Sequence, residues 1–236
     1  MVDVGTALRI IESTTEKEVA KAEGLNVQLT FRSNQFEDIN HKKVKEWIKA
    51  HDIKPLSIHY PTFAVNGDFA DHLKQFVDVY GIRLFTVHPS WDSEAKARSS
   101  LELMADELVS LGAEISLEHG CRGESWSYHP LSVYNLKFPF TSLTFDLAHL
   151  DSSLDPIQEF DSVSGNVPVV HLSNVDDLDE RRHLPIREGT RDIKKFIKHL
   201  GEIGYNGRIF LEYDIATPVN ILRDDINYIE SAICSV

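Results

Sequence analysis

Along the chain, short apolar runs of β type alternate with longer stretches in which apolar residues recur every three or four positions. The strand-like runs fall at 4–8, 26–31, 55–59, 84–88, 114–118, 143–146, 167–171 and 208–212. Between them run helical stripes. Val44, Trp47, Ile48 and His51 share one face, as do Phe69, Leu73, Phe76, Val77 and Tyr80. Leu101, Met104, Leu108 and Leu111 form a third stripe, Ile193, Phe196, Ile197 and Leu200 a fourth, and Val219, Leu222, Ile226, Ile229 and Ile233 a fifth. Such spacing marks amphipathic helices, and its alternation with β runs marks parallel βα units. Eight strand runs with intervening helices predict an α/β fold, a closed (β/α)8 TIM barrel, as a single domain over 1–236. The pattern is weakest in the first two units and the sixth helix. Gly204 and Gly207 bracket a short turn before the last strand.

Composition changes this picture little. With 236 residues, 42% hydrophobic and 26% charged, the chain can build one real core. No run of eighteen apolar residues suggests a membrane span, and 1–11 lacks the basic and apolar regions of a signal peptide. Cys121 and Cys234 show no metal-type spacing and no disulfide framework, so a cytoplasmic location is expected. The net charge of −13, from 24 basic and 37 acidic residues, weighs against nucleic acid as a partner. It does not exclude it, because bound metals add positive charge where a phosphate would sit.

The chemistry lies at the strand ends. Six successive runs close on an ionisable residue: His59, His88, Glu118, Asp146, His171 and Glu212. In a parallel barrel all these ends open on one face, where barrel enzymes hold their active sites. A polar residue closing an apolar run is costly to bury unless it is paired or metal-bound. Three carboxylates brought together repel, and a divalent cation removes that conflict. Mixed carboxylate and imidazole ligands suit Mn, Zn, Co or Fe(II), and carboxylates alone favour Mg. His149, three after Asp146, could reach the same mouth. His183 falls in a loop after the seventh strand. His119 follows Glu118 directly and is expected to point away. His41, His51, His72, His129 and His199 are read as structural.

Several segments are specific in combination: Leu-Glu118-His, Phe-Asp146-Leu-Ala-His149, His171-Leu-Ser-Asn, His183-Leu-Pro-Ile-Arg-Glu-Gly, the stretch 200–207, and Phe-Leu-Glu212. In these the sequence resembles the xylose-isomerase-like TIM-barrel superfamily over nearly its whole length. That superfamily includes sugar and sugar-phosphate isomerases and epimerases, and the endonuclease IV type of apurinic-site nuclease. The resemblance implies that Glu118, Asp146, His171 and Glu212 bind one divalent metal. It implies that Glu118 and Glu212 are catalytic, moving a proton through a metal-stabilised enediolate. His149 and His183 would hold sugar hydroxyls, and Arg181, Arg182 or Arg187 a terminal phosphate or carboxylate. In the endonuclease branch His59 and His88 would join Glu118 around a second metal. Its third site needs an Asp two residues before His183, where this chain has Arg181, and Arg187 stands where the family loop commonly has Gly.

The expected function is therefore a metal-dependent isomerase or epimerase of a small sugar, sugar phosphate or related polyol. The alternative is an endonuclease IV-like phosphodiesterase acting on abasic DNA. A dehydratase or lyase and a non-catalytic ligand-binding barrel also stay open, as does a homo-oligomer; a membrane partner is not expected.

Overall fold

Where β-branched and aromatic residues occupy consecutive positions, both faces of a strand can be buried, as a parallel sheet under helices requires. The computed structural model of the protein describes residues 2–31, 38–60, 69–88, 94–118, 141–179 and 181–235. Eight strands close a parallel barrel: β1 (Asp3–Ile10), β2 (Asn26–Phe31), β3 (Lys54–Tyr60), β4 (Leu84–Val87), β5 (Glu114–Glu118), β6 (Ser142–Asp146), β7 (Val169–Leu172) and β10 (Arg208–Leu211). They follow chain order around the ring, and β1 closes it by pairing with both β2 and β10. Every residue of β4 and β7 is buried.

Among the described residues, the helices between strands are α1 (Glu16–Val19), α2 (His41–Ala50), α3 (Phe69–Tyr80), α4 (Glu94–Ser110), α5 (Pro156–Asp161) and α6 (Ile193–Glu202), and α7 (Val219–Cys234) follows the last strand. Side-chain caps start several of them. Asn40 accepts from Lys43 N, Asp155 from Ile157 N, and Asp192 from Lys195 N. Most residues of the predicted stripes turn inward, although Val219 at the start of the fifth stays exposed. Val44 and Ile48, Leu73 and Phe76, Leu101 and Leu108, Phe196 and Leu200, and Ile226 and Ile229 are all buried. Each such side chain contributes about 1.5–3 kcal/mol. The first and sixth helical units are indeed short. α1 is one turn continued by a 3-10 turn at Ala20–Ala22, and α5 has 6 residues. Among the described residues no helix is long and apolar enough to cross a membrane.

Two local departures from the sequence reading have physical causes. The seventh strand begins at Val169 rather than 167, because Pro168 has no N–H for the ladder, although its carbonyl accepts from Arg208 N. The region holding His183 is no plain loop. It is a two-stranded antiparallel hairpin, β8 (Asn174–Asp176) with β9 (Arg181–Leu184), rising from the mouth after β7. His183 sits in it with a left-handed backbone, φ 57°.

Candidate metal centre

Side chains two apart on a strand share a face, so the barrel interior is built in rows. The upper row is His59, His88, Glu118, Asp146, His171 and Glu212. Two residues below lie Ser57, Thr86, Ser116, Thr144, Val169 and Phe210. Leu84, Val169 and Phe210 pack as an apolar plug. Gln28 joins the hydroxyls: its Nε2 donates to Ser57 Oγ and to Thr86 Oγ1, both at 3.1 Å. Thr86 Oγ1 and Thr144 Oγ1 lie 3.1 Å apart, and Ser116 Oγ and Thr144 Oγ1 2.7 Å apart.

The upper row converges on Glu118. His59 Nε2 is 3.1 Å and His88 Nε2 3.3 Å from Glu118 Oε2. His171 Nδ1 is 3.2 Å and His149 Nδ1 3.4 Å from Glu118 Oε1. His171 Nδ1 also lies 3.1 Å from Glu212 Oε2, and His149 Nε2 lies 3.2 Å from Asp146 Oδ2. Asp146 Oδ1 accepts from Ala148 N at 2.7 Å, which starts the 3-10 turn Leu147–His149 that carries His149 inward. All six strand-end residues foreseen from the sequence are thus brought together, with His149 among them.

Burial and charge compete here. Burial pushes Glu118 up, but His88, His171 and His59 outweigh it and hold its carboxyl well below the usual range. Glu212 is likewise held low against burial by His171. Burial would discharge His171, yet Glu118 and Glu212 raise it well above an ordinary imidazole. His88 is pushed down to about 4, mainly by burial. Asp146 is pushed up to about 6, by burial and then by Glu118 and Glu212 against the pull of His149.

A charged His171 is thus the cation that keeps two carboxylates together. A divalent ion would serve that purpose with twice the charge, and the donors suit one. One atom each from Glu118, Asp146, His171 and Glu212 lie within 4.8 Å of one another. Metal–ligand distances of about 2.0–2.2 Å need such spacing. Two further groups meet the same limit, His59 with His88 and Glu118, and His59 with His171 and Glu212. His171 Nε2 is buried and makes no hydrogen bond among the described residues.

The other predicted residues divide. His183 stands at the edge, its ring 6.5 Å from that of His149. Its Nδ1 is 3.0 Å from Glu212 O. A carbonyl only accepts, so Nδ1–H is the donor of that bond. Arg181 pairs with Asp176 Oδ2 at 3.3 Å within the hairpin, and Arg187 with Asp225 Oδ1 at 2.9 Å on α7. Arg182 is half-buried on β9. His119, His129 and Cys121 lie outside the described residues. Among the histidines read as structural, His41 meets Tyr80 OH at 2.9 Å, His199 meets Asp161 at 2.7 Å, and His51 meets Glu16 at 3.4 Å.

Sequence reasoning missed the hydroxyl row, although its signal is plain: Ser-Ile-His59, Thr-Val-His88, Ser-Leu-Glu118 and Thr-Phe-Asp146 repeat one spacing. It also missed Arg191. That side chain donates to Leu147 O and Leu150 O and meets Asp177, fastening the turn that carries His149 to the hairpin. Gly189 closes the same junction at φ 86°, where a Cβ would fall 2.4 Å from Val175 O. A cavity beside Glu212 is lined by Leu8, Thr30, Tyr213, Asp214 and Leu222. It opens where β1 runs on past Thr6, the last residue paired with β10.

A family model for the xylose isomerase-like TIM barrel matches residues 18–232. Among solved structures the chain is similar to a D-tagatose 3-epimerase-like protein, with TM-score 0.73, 16% identity, and 97% of this chain and 99% of that one covered. It is similar to AP endonuclease, family 2, from Brucella melitensis, with TM-score 0.72, 18% identity, and coverage of 93% and 95%. It is also similar to D-allulose 3-epimerase from Methylomonas sp., with TM-score 0.70, 14% identity, and coverage of 98% of each. No curated protein sequence matches it. At these identities the structural likeness speaks for the fold alone.

Proposed function

This chain belongs to the xylose isomerase-like TIM-barrel family, and we propose that it is a metal-dependent isomerase or epimerase of a small sugar, sugar phosphate or related polyol. The observation that carries this reading is the meeting of Glu118 and Glu212 at His171 Nδ1, 3.2 and 3.1 Å away. The two carboxylates come from strands three places apart around the ring. Both are held ionised, so either can accept a proton from a substrate between them.

Glu118, Asp146, His171 and Glu212 would hold the ion, with Mn, Zn, Co and Mg as candidates. When bound, it supplies positive charge that acidifies a carbon-bound proton beside a carbonyl and stabilises the enediolate. Glu118 or Glu212 takes that proton, and the same or the other carboxylate returns it. His149 and His183 orient substrate hydroxyls. The solved epimerases named above support a small sugar as substrate.

A second reading has its own observation. His59 and His88 stand with Glu118 as a separate donor group. Two neighbouring ions suit in-line attack at phosphorus, so an endonuclease IV-like phosphodiesterase acting on abasic DNA is the alternative. One experiment addresses both readings. Metal per chain is counted by plasma mass spectrometry, and the protein is incubated in D2O with a panel of ketoses and aldoses, and with an abasic duplex. One ion per chain, with EDTA-sensitive deuterium entry beside the sugar carbonyl, is expected. Two or more ions with duplex cleavage and no exchange would overturn the first reading.

A further inference from the structure

Glu118 and Asp146 are the last residues of their strands and still lie in the ladder, opposite Thr144 and His171. Glu212 does not. It follows the end of β10, tied to the barrel by Glu212 N donating to Leu172 O at 3.3 Å, and its side chain is 19% exposed where Glu118 is 0%. The sheet alone therefore leaves its carboxylate the least fixed of the acidic donors.

A second set of contacts supplies what the sheet does not. His183 brackets Tyr213: its Nδ1–H donates to Glu212 O at 3.0 Å, and its own carbonyl accepts from Asp214 N at 2.9 Å. The Tyr213 hydroxyl accepts from Ile186 N at 3.0 Å and donates to Asp225 Oδ2 at 2.9 Å. Asp225 is a fully buried carboxylate on α7. Arg187 Nε lies 2.9 Å from its other oxygen, and the Arg187 guanidinium lies 6.0 Å from the Tyr228 ring centre. A buried carboxylate is costly without such compensation. Three elements, the hairpin arm with its following turn, the segment after β10, and α7, are thus joined next to Glu212.

We infer that Arg187, Asp225 and Tyr213 form a positioning clamp that fixes the Glu212 carboxylate against His171 through the backbone of residues 212–214. The clamp touches no substrate. Its role rests on the metal reading above, and it assigns Arg187 a task other than holding a substrate anion. Partners behind a metal ligand commonly set affinity by about 10–100-fold.

The test uses Co2+ as the probe on metal-stripped protein, titrated through its visible absorption, with thermal unfolding of the same samples. Tyr213→Phe and Arg187→Ala should each weaken Co2+ binding about tenfold and change the absorption of the saturated form, and Arg187→Lys should recover part of the loss. Arg187 is half-exposed, so its variants keep the test open if Tyr213→Phe folds poorly. Wild-type Co2+ affinity and spectrum in Arg187→Ala and Tyr213→Phe, whatever their melting temperatures, would reduce the clamp to ordinary packing. A wild-type protein that fails to bind Co2+ would instead overturn the metal reading beneath it.

Discussion

Ser57, Thr86, Ser116 and Thr144 lie two residues before His59, His88, Glu118 and Asp146 in the chain, His88 directly following β4 and the other three acid or imidazole groups lying on their strands, and the two rows bury polar atoms in opposite ways. The lower row is neutral and bonds to itself, with Gln28 joining Ser57 and Thr86, and Thr144 joining Thr86 and Ser116. Neutral hydrogen bonds satisfy buried hydroxyls without any counter-charge. The upper row is charged and leaves its members displaced in both directions: Glu118 and Glu212 downward, His171 and Asp146 upward, His88 downward. Perturbation of that kind is what a reactive site requires. One row satisfies its own polar atoms, and the row above it gathers donors that could hold an ion.

That contrast can be broken most severely from above. Glu212→Gln keeps the shape and removes the charge, and should reduce turnover by about 10²–10⁴-fold, the usual worth of a positioned acid–base group. Far-ultraviolet circular dichroism should be unchanged, and activity like that of the wild type would sink the proposed chemistry. Glu118→Ala strikes the point where four histidines meet. It should lower the stability of the metal-free protein by about 3–5 kcal/mol in urea unfolding, as removal of one member of a buried ion pair does.

Thr144→Val probes the lower row and should cost about 1–3 kcal/mol of stability, because two hydroxyl neighbours lose a partner. Its Co2+ affinity should stay within about twofold of the wild type. A large loss of affinity would show that the rows are not separable.

The gentlest probe is pH. His171 binds its proton more tightly when folded, so its contribution is full below about 6.5 and fades as pH rises through the higher folded value. Asp146, raised to about 6, acts in the same sense, its contribution fading as pH passes that value. His88, lowered to about 4, acts oppositely, and its contribution is lost as pH falls from about 6.5 towards that value. Glu118 and Glu212 also lose theirs as pH falls through and below about 4.5. Urea unfolding of the metal-free protein should give a maximum near pH 6.5, where the His88 gain is complete and the His171 loss begins, and a flat profile from pH 5 to 9 would contradict these assignments.

How much of this was legible in the sequence depended on whether periodicity carried it. β2 and β5 have the bounds read from the apolar pattern alone, because polar residues or turns flank both runs. The six strand-end residues were legible for the same reason, since one direction of travel puts all those ends on one face. The hydroxyl row escaped because Ser and Thr interrupt a strand pattern so mildly that they read as filler. The hairpin escaped because β9, Arg-Arg-His-Leu, has no apolar alternation. Arg187 is one of three arginines that the resemblance offers for a substrate anion, and in the structure it pairs with Asp225. Among 37 acidic residues, only the rotation of α7 selects that partner.

The two-residue spacing of the rows also governs how this gene can change. Deleting one residue inside β5 would shift the phase of the strand, turning Leu117 into the barrel and Glu118 towards the helices. A single frame-preserving deletion of three bases would thereby turn the Glu118 carboxylate and the Ser116 hydroxyl out of the barrel together. Substitutions along these strands can be judged one position at a time, but changes of length cannot. Drift in length among descendants of this chain should accumulate in the connections and spare the strands, so an alignment gap inside one of the strands β3 to β6 would mark a relative whose upper row is broken.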